Sequence, residues 1–206
     1  RVVIEVNTGM NRAGVEPGQP AVDLANEIAR HPSLRFAGVM GWEAHTTAIA
    51  DPVTKEKAVA AAIGLLTSSA DQCRKAGHDV QIVSCGGTGT LLYCVKQPGV
   101  TEVQVGGGVM NDQHYRWHHN IDLPFSLTVL ATVISRPTPT RVILDAGRKT
   151  MSSETAMPLP LGVPRVKEVQ LYAEHSRLEL EAPSDSPRVG DRVEFIPGYT
   201  DSTIHL

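Results

Sequence analysis

Two neighbouring segments of the sequence each run from apolar residues into glycine. They are VSCGGTGT, residues 83–90, and EVQVGGGVMND, residues 102–112. Glycine-rich turns can direct several backbone N–H groups at an anion, and a helix that starts directly behind such a turn favours a phosphate. Glycines after strands also make simple tight turns, and for either segment alone the two interpretations are evenly matched. Two such turns in succession favour a phosphate-bearing ligand, which would contact Gly86, Gly87, Thr88, Gly106, Gly107 and Gly108.

A histidine is the next residue type that could do chemistry. His45 follows the apolar segment RFAGVMG by a few residues, and a neutral imidazole can act as a general acid or base near pH 7. A single loop histidine is also often without a catalytic role, so this alternative stays open. His175 in AEHS and the run HYRWHH, residues 114–119, are further candidates, although clustered loop histidines are usually solvated.

Composition and charge exclude several classes of function. The 206 residues contain 19 Lys and Arg against 22 Asp and Glu, so there is no basic excess for a nucleic-acid partner. The longest apolar run, FSLTVLATVIS, is shorter than the roughly 18 residues that span a bilayer, and we expect a soluble protein with no membrane partner. GGTG lacks the lysine of a P-loop, which disfavours ATP. Cys73, Cys85 and Cys94 fit neither a metal spacing nor an even disulfide set, so we expect buried thiols in a reducing cytoplasm.

The elements that must position these residues alternate between strand and helix up to about residue 122. Apolar runs VVIEV, RFAGVMG, VQIVS and TEVQV predict strands, separated by a helix over PAVDLANEIARH, a long helix and a short helix around TLLYCVKQ. Asp51 and Pro52 indicate the start of the long helix and Gly77 its end. Strands this apolar favour a parallel sheet, here half of a TIM (β/α)8 barrel, in which loops after the strands form the active face.

After residue 122 the sequence changes character. SLTVLATVIS, TRVILDAG, VKEVQLYAEH and DRVEFIP predict antiparallel strands joined by proline- and glycine-rich turns. We therefore expect residues 1–122 to form part of a barrel and residues 123–206 a mainly antiparallel β domain. RVVIEV begins directly in an apolar run and STIHL stops where a further strand is expected. The chain is thus predicted to be cut from a longer protein, with unpaired barrel edges that make it poorly soluble and inactive alone.

Seven motifs in order carry a family resemblance. They are EVNTGMNRAGV, GVMGWEAHT, VSCGGTGT, EVQVGGGVMND, LDAGRKTMSSE, AEHS and GDRVEFIPGYTD. Over nearly the whole chain the sequence resembles the D-threonine aldolase and D-serine dehydratase family of pyridoxal-phosphate enzymes, whose fold is similar to that of alanine racemase. The resemblance implies a barrel that carries pyridoxal phosphate, with both glycine loops at the cofactor phosphate, and a β domain that completes the active site.

The resemblance also implies roles for individual residues. Arg12, in GMNRAG, would lie beside the cofactor ring, where its cation can bond the phenolic oxygen; the alternative is a solvated loop arginine. Trp42 stands where the family commonly has tyrosine close to the pyridine ring. Its indole can stack and donate but cannot accept a proton, and simple packing at a strand end is the alternative.

Two family features are altered or missing in this sequence. The family's metal pair is a histidine followed two residues later by cysteine or aspartate, and this chain has Tyr199 and Asp201 there. Aspartate suits a divalent metal, zinc or manganese, better than tyrosine does, so Asp201 is the one candidate ligand. The lysine that would form a Schiff base with the cofactor belongs to an early barrel strand, and no lysine of this sequence fits that position.

These observations together predict a lyase that acts at the α-carbon of a small D-hydroxy amino acid, with pyridoxal phosphate as the electron sink. Removal of the α-proton leads to loss of water, whereas cleavage of the Cα–Cβ bond gives the retro-aldol products. The open alternatives are an amino-acid racemase of the same fold, a non-catalytic pyridoxal-phosphate carrier, and a fragment without activity of its own. A carrier usually needs only the barrel, so the β domain favours an enzyme, which we expect to be a homodimer when full length.

Overall fold

The computed structural model describes residues 1–205 and divides them into two compact units. The first comprises residues 1–106, and the second comprises the described residues from 107 onward. Leu206, the last residue of the predicted β domain, lies outside the described residues.

The first unit alternates strands and helices, as the sequence predicts. Its elements in chain order are β1 (Val2–Glu5), α1 (Gln19–Ala29), β2 (Phe36–Met40), α2 (Pro52–Lys75), β3 (Ile82–Cys85), α3 (Leu91–Cys94) and β4 (Glu102–Val103). The four strands pair in parallel in the order β1-β2-β3-β4. This order is that of consecutive strand–helix–strand units, and it confirms the predicted parallel sheet.

Local sequence signals determine where helix α2 begins and ends. Burial of apolar side chains packs the helices against the sheet. Asp51 caps α2 by accepting a hydrogen bond from the Thr54 N–H at 2.8 Å, and Pro52 is its first residue, as predicted. Gly77, with a φ of 94°, follows the last turn. The core contains Val39 and Val83 from the strands and Leu66 from α2, all fully buried. The three cysteines are free and buried, which confirms their predicted state.

The second unit is mainly antiparallel. Its elements are α4 (Gln113–His119), β5 (Val129–Thr138), β6 (Arg141–Leu144), β7 (Leu159–Pro160), β8 (Val166–Leu171), β9 (Ser176–Leu180), β10 (Arg192–Ile196) and α5 (Thr200–Ile204). The strands form one sheet in the order β7-β10-β5-β6-β9-β8, and all of its pairings are antiparallel. Its core lies around Phe195, Leu144, Leu178 and Met151.

Two features of the second unit differ from the sequence-based expectation. HYRWHH, expected as a solvated loop, lies on helix α4, because Asp112 caps the helix by accepting a hydrogen bond from the Tyr115 N–H at 2.8 Å. The compact units divide at residues 106 and 107, whereas the sequence changes character at 122. The reason is that α4 bonds to the segment after β10: the Gln113 and His114 N–H groups donate to the carbonyls of Pro197 and Gly198.

Among the described residues, no helix combines the length and the apolar character that a membrane crossing needs. The longest helix, α2, carries lysine, glutamate, serine and threonine side chains along its 24 residues.

Candidate functional site

The candidate site of the first unit lies where three parallel strands end. β1, β2 and β3 run in the same direction, so the loops that follow them lie at one edge of the sheet. These loops carry Arg12, the segment from Trp42 to His45, and GGTG. The fold therefore places three of the predicted motifs at the same edge.

Arg12, Trp42 and Gly87 come together at this edge. The Arg12 guanidinium lies 5.0 Å from the centre of the Trp42 ring, within the range of a cation–π contact. A Cβ added to Gly87 would stand 3.0 Å from the Trp42 indole nitrogen, so glycine leaves room for the ring. Arg12 also lies 3.7 Å from the Glu5 carboxylate, and half of its side chain is exposed. Two candidates from separate motifs thus contact one another, with the glycine loop beside them.

His45 lies on a short 3-10 turn after β2, over the loop that follows β1. Its imidazole fills the space where a Cβ of Gly9 would stand, at 2.9 Å, and Gly9 has a φ of 117° that favours glycine. The His45 side chain is exposed. It therefore lies at the edge of the sheet where the loops after β1, β2 and β3 meet.

The GGTG loop uses its first two N–H groups inside the protein. Gly86 has a φ of 82° and donates to Glu43 Oε2 at 3.2 Å, while the Gly87 N–H donates to Thr90 Oγ1 at 3.2 Å. Thr88, which follows them, is buried. The sequence offered Gly86 and Gly87 as phosphate donors, and in this structure those two N–H groups already have acceptors. The predicted contact of Thr88 with a phosphate stays a prediction.

Glu43 is a residue that the sequence-based reasoning missed. It is only 1% exposed, and its carboxylate accepts hydrogen bonds from the Gly86 N–H, the Thr90 hydroxyl and the Cys94 thiol. Its position between Trp42 and His45, directly after a buried strand, was the available signal. The Cys94 pKa is raised by a hydrogen bond with Cys85, by burial and by the charge of Glu43, so this thiol keeps its proton.

The second glycine loop has a different setting. A Cβ on Gly107 would come within 2.4 Å of the Tyr115 ring, and the Gly107 carbonyl accepts bonds from the Met110 and Asn111 N–H groups. Gly108 is buried in the same 3-10 turn. A Cβ on Gly106 would meet nothing within 4 Å. The expectation that this loop shares one phosphate with GGTG stays a prediction.

Asp201, the predicted metal ligand, accepts hydrogen bonds from two phenolic hydroxyls. Its Oδ2 lies 2.7 Å from the Tyr199 hydroxyl and 3.2 Å from that of Tyr115. The pKa of Tyr199 is raised by burial and by its bond to Asp201, and that of Tyr115 is raised mainly by burial, so both phenols stay protonated. Protonated phenols that donate to the carboxylate fit a divalent metal poorly.

The remaining histidine candidates lie in the second unit. On α4, His114 and His119 approach to 3.2 Å between their Nε2 atoms, and the centre of the His114 ring lies 5.1 Å from those of His118 and Tyr199. The pKa of His114 is lowered by burial and by His118. His175 is exposed in the turn between β8 and β9.

One group of His, Cys, Asp or Glu side chains in residues 1–205 brings three ligand atoms within 4.8 Å of one another. It consists of Glu43, Cys85 and Cys94, and it contains neither Asp201 nor any histidine.

Comparison with known proteins gives matches along the whole chain. Residues 1–113 match the family described as "Alanine racemase, N-terminal domain", and residues 126–206 match the "Putative serine dehydratase domain". A D-threonine aldolase of Arthrobacter sp is 29% identical over 208 residues, which cover 100% of this chain and 55% of that protein. A D-threo-3-hydroxyaspartate dehydratase of Delftia sp. (strain HT23) is 30% identical over 159 residues, 74% of this chain and 41% of the relative.

A solved structure is similar over nearly the same extent. The D-threonine aldolase from Filomicrobium marinum superposes with a TM-score of 0.86 at 29% identity, covering 98% of this chain and 56% of that one. The chain spans about half the length of the curated relatives it matches. These matches confirm the fold expected from the sequence, a barrel part followed by a mainly antiparallel β domain.

Proposed function

This chain belongs to the alanine racemase N-terminal domain family, and from that premise we propose that it is part of a pyridoxal-phosphate-dependent lyase for small D-hydroxy amino acids. The observation that carries the proposal is the meeting of Arg12, Trp42 and Gly87 at the edge where β1, β2 and β3 end. The relatives named above include an aldolase and a dehydratase that act on such compounds.

The residues at this edge fit the cofactor. Gly87 lets the Trp42 indole lie directly against the backbone of the GGTG loop, because a Cβ there would crowd the indole nitrogen at 3.0 Å. Trp42 is partly exposed and offers an aromatic surface for a pyridine ring, and the Arg12 cation lies over the indole. Once bound, pyridoxal phosphate supplies an electron sink for cleavage of a bond at the amino acid's α-carbon.

The roles that we propose follow from these positions. Thr88 and the adjoining backbone bind the phosphate, with Gly106, Gly107 and Gly108 as its further candidates. Arg12 and Trp42 orient the ring. His45, exposed at the rim, moves a proton at the β-hydroxyl: as a base it favours Cα–Cβ cleavage, and as an acid it favours loss of water.

The metal is not part of this proposal. Because Tyr199 and Tyr115 both donate to Asp201 Oδ2, we propose that Asp201 holds no zinc or manganese. The unpaired thiols of Cys73, Cys85 and Cys94 support a cytoplasmic location, and we keep the homodimer as the proposed assembly.

One assay tests the proposal. The natural protein that carries this sequence, supplied with pyridoxal phosphate, is offered D-threonine, D-serine and D-threo-3-hydroxyaspartate. Glycine with an aldehyde indicates an aldolase, and a 2-oxo acid with ammonia indicates a dehydratase. Conversion of D- to L-amino acid alone would replace the proposal with a racemase. Cofactor binding without turnover of any of the three compounds would replace it with a carrier.

A further inference from the structure

Glu43 occupies a position that none of the proposed chemical roles uses. Its side chain is among the largest fully buried ones of the protein, yet it lies two residues from the exposed His45. Its own carbonyl accepts bonds from the Thr46 N–H at 2.9 Å and the Thr46 hydroxyl at 2.8 Å. These two bonds hold the Glu43 backbone independently of the contacts that its carboxylate makes.

The carboxylate reaches the glycine loop in two ways. Oε2 accepts the Gly86 N–H directly at 3.2 Å. Oε1 accepts the Thr90 hydroxyl at 2.5 Å, and Thr90 Oγ1 in turn accepts the Gly87 N–H at 3.2 Å. The loop after β2 therefore holds, through one side chain, both glycine N–H groups at the start of the loop after β3.

The two bonds also restrain the backbone of the remainder of the loop. Gly86 has a φ of 82°, which glycine adopts without strain. Because glycine adopts other backbone conformations just as readily, contacts from outside the loop are needed to hold this one. The two bonds supply that restraint at successive residues. They restrain the direction in which the chain leaves Gly87, and hence the position of the Thr88 backbone.

We infer that Glu43 is a positioning residue that fixes the first half of GGTG, so that the half beginning at Thr88 faces the cofactor phosphate. The inference rests on the proposed function, because it needs a phosphate at this loop. Glu43 acts on the phosphate only through Gly86, Gly87 and Thr90, and it touches neither cofactor nor substrate.

A metal ion in the same cluster is the competing explanation. The ligand atoms of Glu43, Cys85 and Cys94 lie within 4.8 Å of one another. However, the Cys94 thiol and the Thr90 hydroxyl both donate protons to the carboxylate, whereas a metal requires thiolates. Hydrogen bonds therefore already complete the cluster, and the experiment includes zinc as an outcome.

The test compares pyridoxal phosphate with pyridoxal, which lacks the phosphate, on the natural protein stripped of cofactor. Glu43→Gln and Thr90→Val should each weaken pyridoxal phosphate at least tenfold and change pyridoxal less than twofold. Glu43→Ala should weaken pyridoxal phosphate further than Glu43→Gln, which keeps one acceptor. Glu27→Gln, an exposed glutamate on α1, is the matched control and should leave both affinities unchanged.

Several results would overturn the inference. Equal losses for the two ligands would show a merely structural role, and unchanged affinity in both Glu43→Gln and Thr90→Val would show no role. Zinc that purifies with the protein and disappears in Cys85→Ser would assign the cluster to a metal. If Glu43→Gln does not fold, Thr90→Val decides. If the unsubstituted protein prefers pyridoxal phosphate no more than pyridoxal, the proposed function itself fails.

Discussion

The two glycine loops resemble each other in sequence, but glycine is needed in each of them for a different physical reason. Gly86 has a positive φ and its neighbour Gly87 leaves room for Trp42, and both donate into a network centred on Glu43. Gly107 is required because the Tyr115 ring occupies the space of its Cβ. A glycine beside a cation and polar groups indicates ligand binding, whereas a glycine beneath a buried ring indicates packing. We therefore expect substitutions in the first loop to affect cofactor binding, and those at Gly107 to affect folding.

The largest effect is expected from Gly107→Ala. A Cβ at 2.4 Å from a buried tyrosine ring forces the ring or the backbone to move, and overpacking of this kind costs about 1–3 kcal/mol in the free energy of unfolding. Gly106→Ala is the matched control, because its Cβ would meet nothing within 4 Å. Urea unfolding of the two variants measures the difference. Equal stability of both would contradict the packing explanation of the second loop.

Gly87→Ala should give a smaller change in folding but a clear change in binding. Its Cβ would lie 3.0 Å from the Trp42 indole nitrogen, so the ring must shift by a few tenths of an ångström. We expect about a tenfold loss of pyridoxal-phosphate affinity, about 1.4 kcal/mol. Titration of the cofactor-free natural protein, followed by absorbance, measures this loss.

Gly64→Ala, in the interior of α2, is the control for this substitution. Nothing lies within 4 Å of its Cβ, so cofactor affinity should be unchanged and the helix should gain about 0.5–1 kcal/mol. If Gly87→Ala binds the cofactor as well as Gly64→Ala does, the first loop is not the phosphate site.

The contrast between the loops also shows what the sequence could predict. The parallel unit was predictable because its signals are local: buried apolar strands, Asp51 with Pro52 at the start of α2, and Gly77 after its end. Helix α4 was not, because HYRWHH has no apolar periodicity. Its start depends on Asp112, whose Oδ2 also accepts the Thr200 N–H and hydroxyl, 88 residues away.

The candidate site was predictable only in part, for the same reason. Arg12, Trp42 and GGTG carry recognisable motifs, so their positions at one edge follow from the strand order. The hydrogen bonds of Glu43 reach partners that are 43 to 51 positions away in the sequence. The place of Glu43 after a buried strand marks it as a candidate, but it does not indicate that the carboxylate is buried or which groups it contacts. Long-range polar contacts of this kind are determined by packing, which the sequence pattern does not encode.

The tyrosine pair beside Gly107 predicts a pH effect confined to alkaline conditions. Burial and the bonds around Asp201 raise the pKa of Tyr115 and Tyr199, so both phenols bind their protons more tightly in the folded state. Their contribution to stability is full below about pH 10, the ordinary tyrosine pKa, and is lost as the pH rises through the raised folded values. Urea unfolding between pH 8 and pH 11, in about half-unit steps, should show this loss.

Substitutions assign the alkaline loss to the pair. Tyr115→Phe combined with Tyr199→Phe should remove most of the pH dependence in this range. Tyr172→Phe, at an exposed tyrosine of the same unit, should leave it unchanged. A loss that persists in the double variant would mean that other groups titrate, and that the phenols do not hold the Asp201 cluster together.

The last prediction concerns zinc binding at Asp201 in the second unit, where a single substitution tests the role of the phenolic hydrogen bonds. The Tyr199 hydroxyl donates a hydrogen bond to Asp201 Oδ2 at 2.7 Å. The phenol therefore keeps its proton directed at the carboxylate oxygen that a metal ion would need as a ligand. Tyr199→His supplies an imidazole two residues from that carboxylate and removes the nearer of its two phenolic donors. Because imidazole and carboxylate are both ordinary zinc ligands, we expect at least tenfold tighter zinc binding than in the unsubstituted protein, measured by competition with a chelating dye. Adding Asp201→Asn should abolish the gain. One tightly held zinc per chain in the unsubstituted protein, lost with Asp201→Asn, would show instead that phenols and carboxylate already form a metal site.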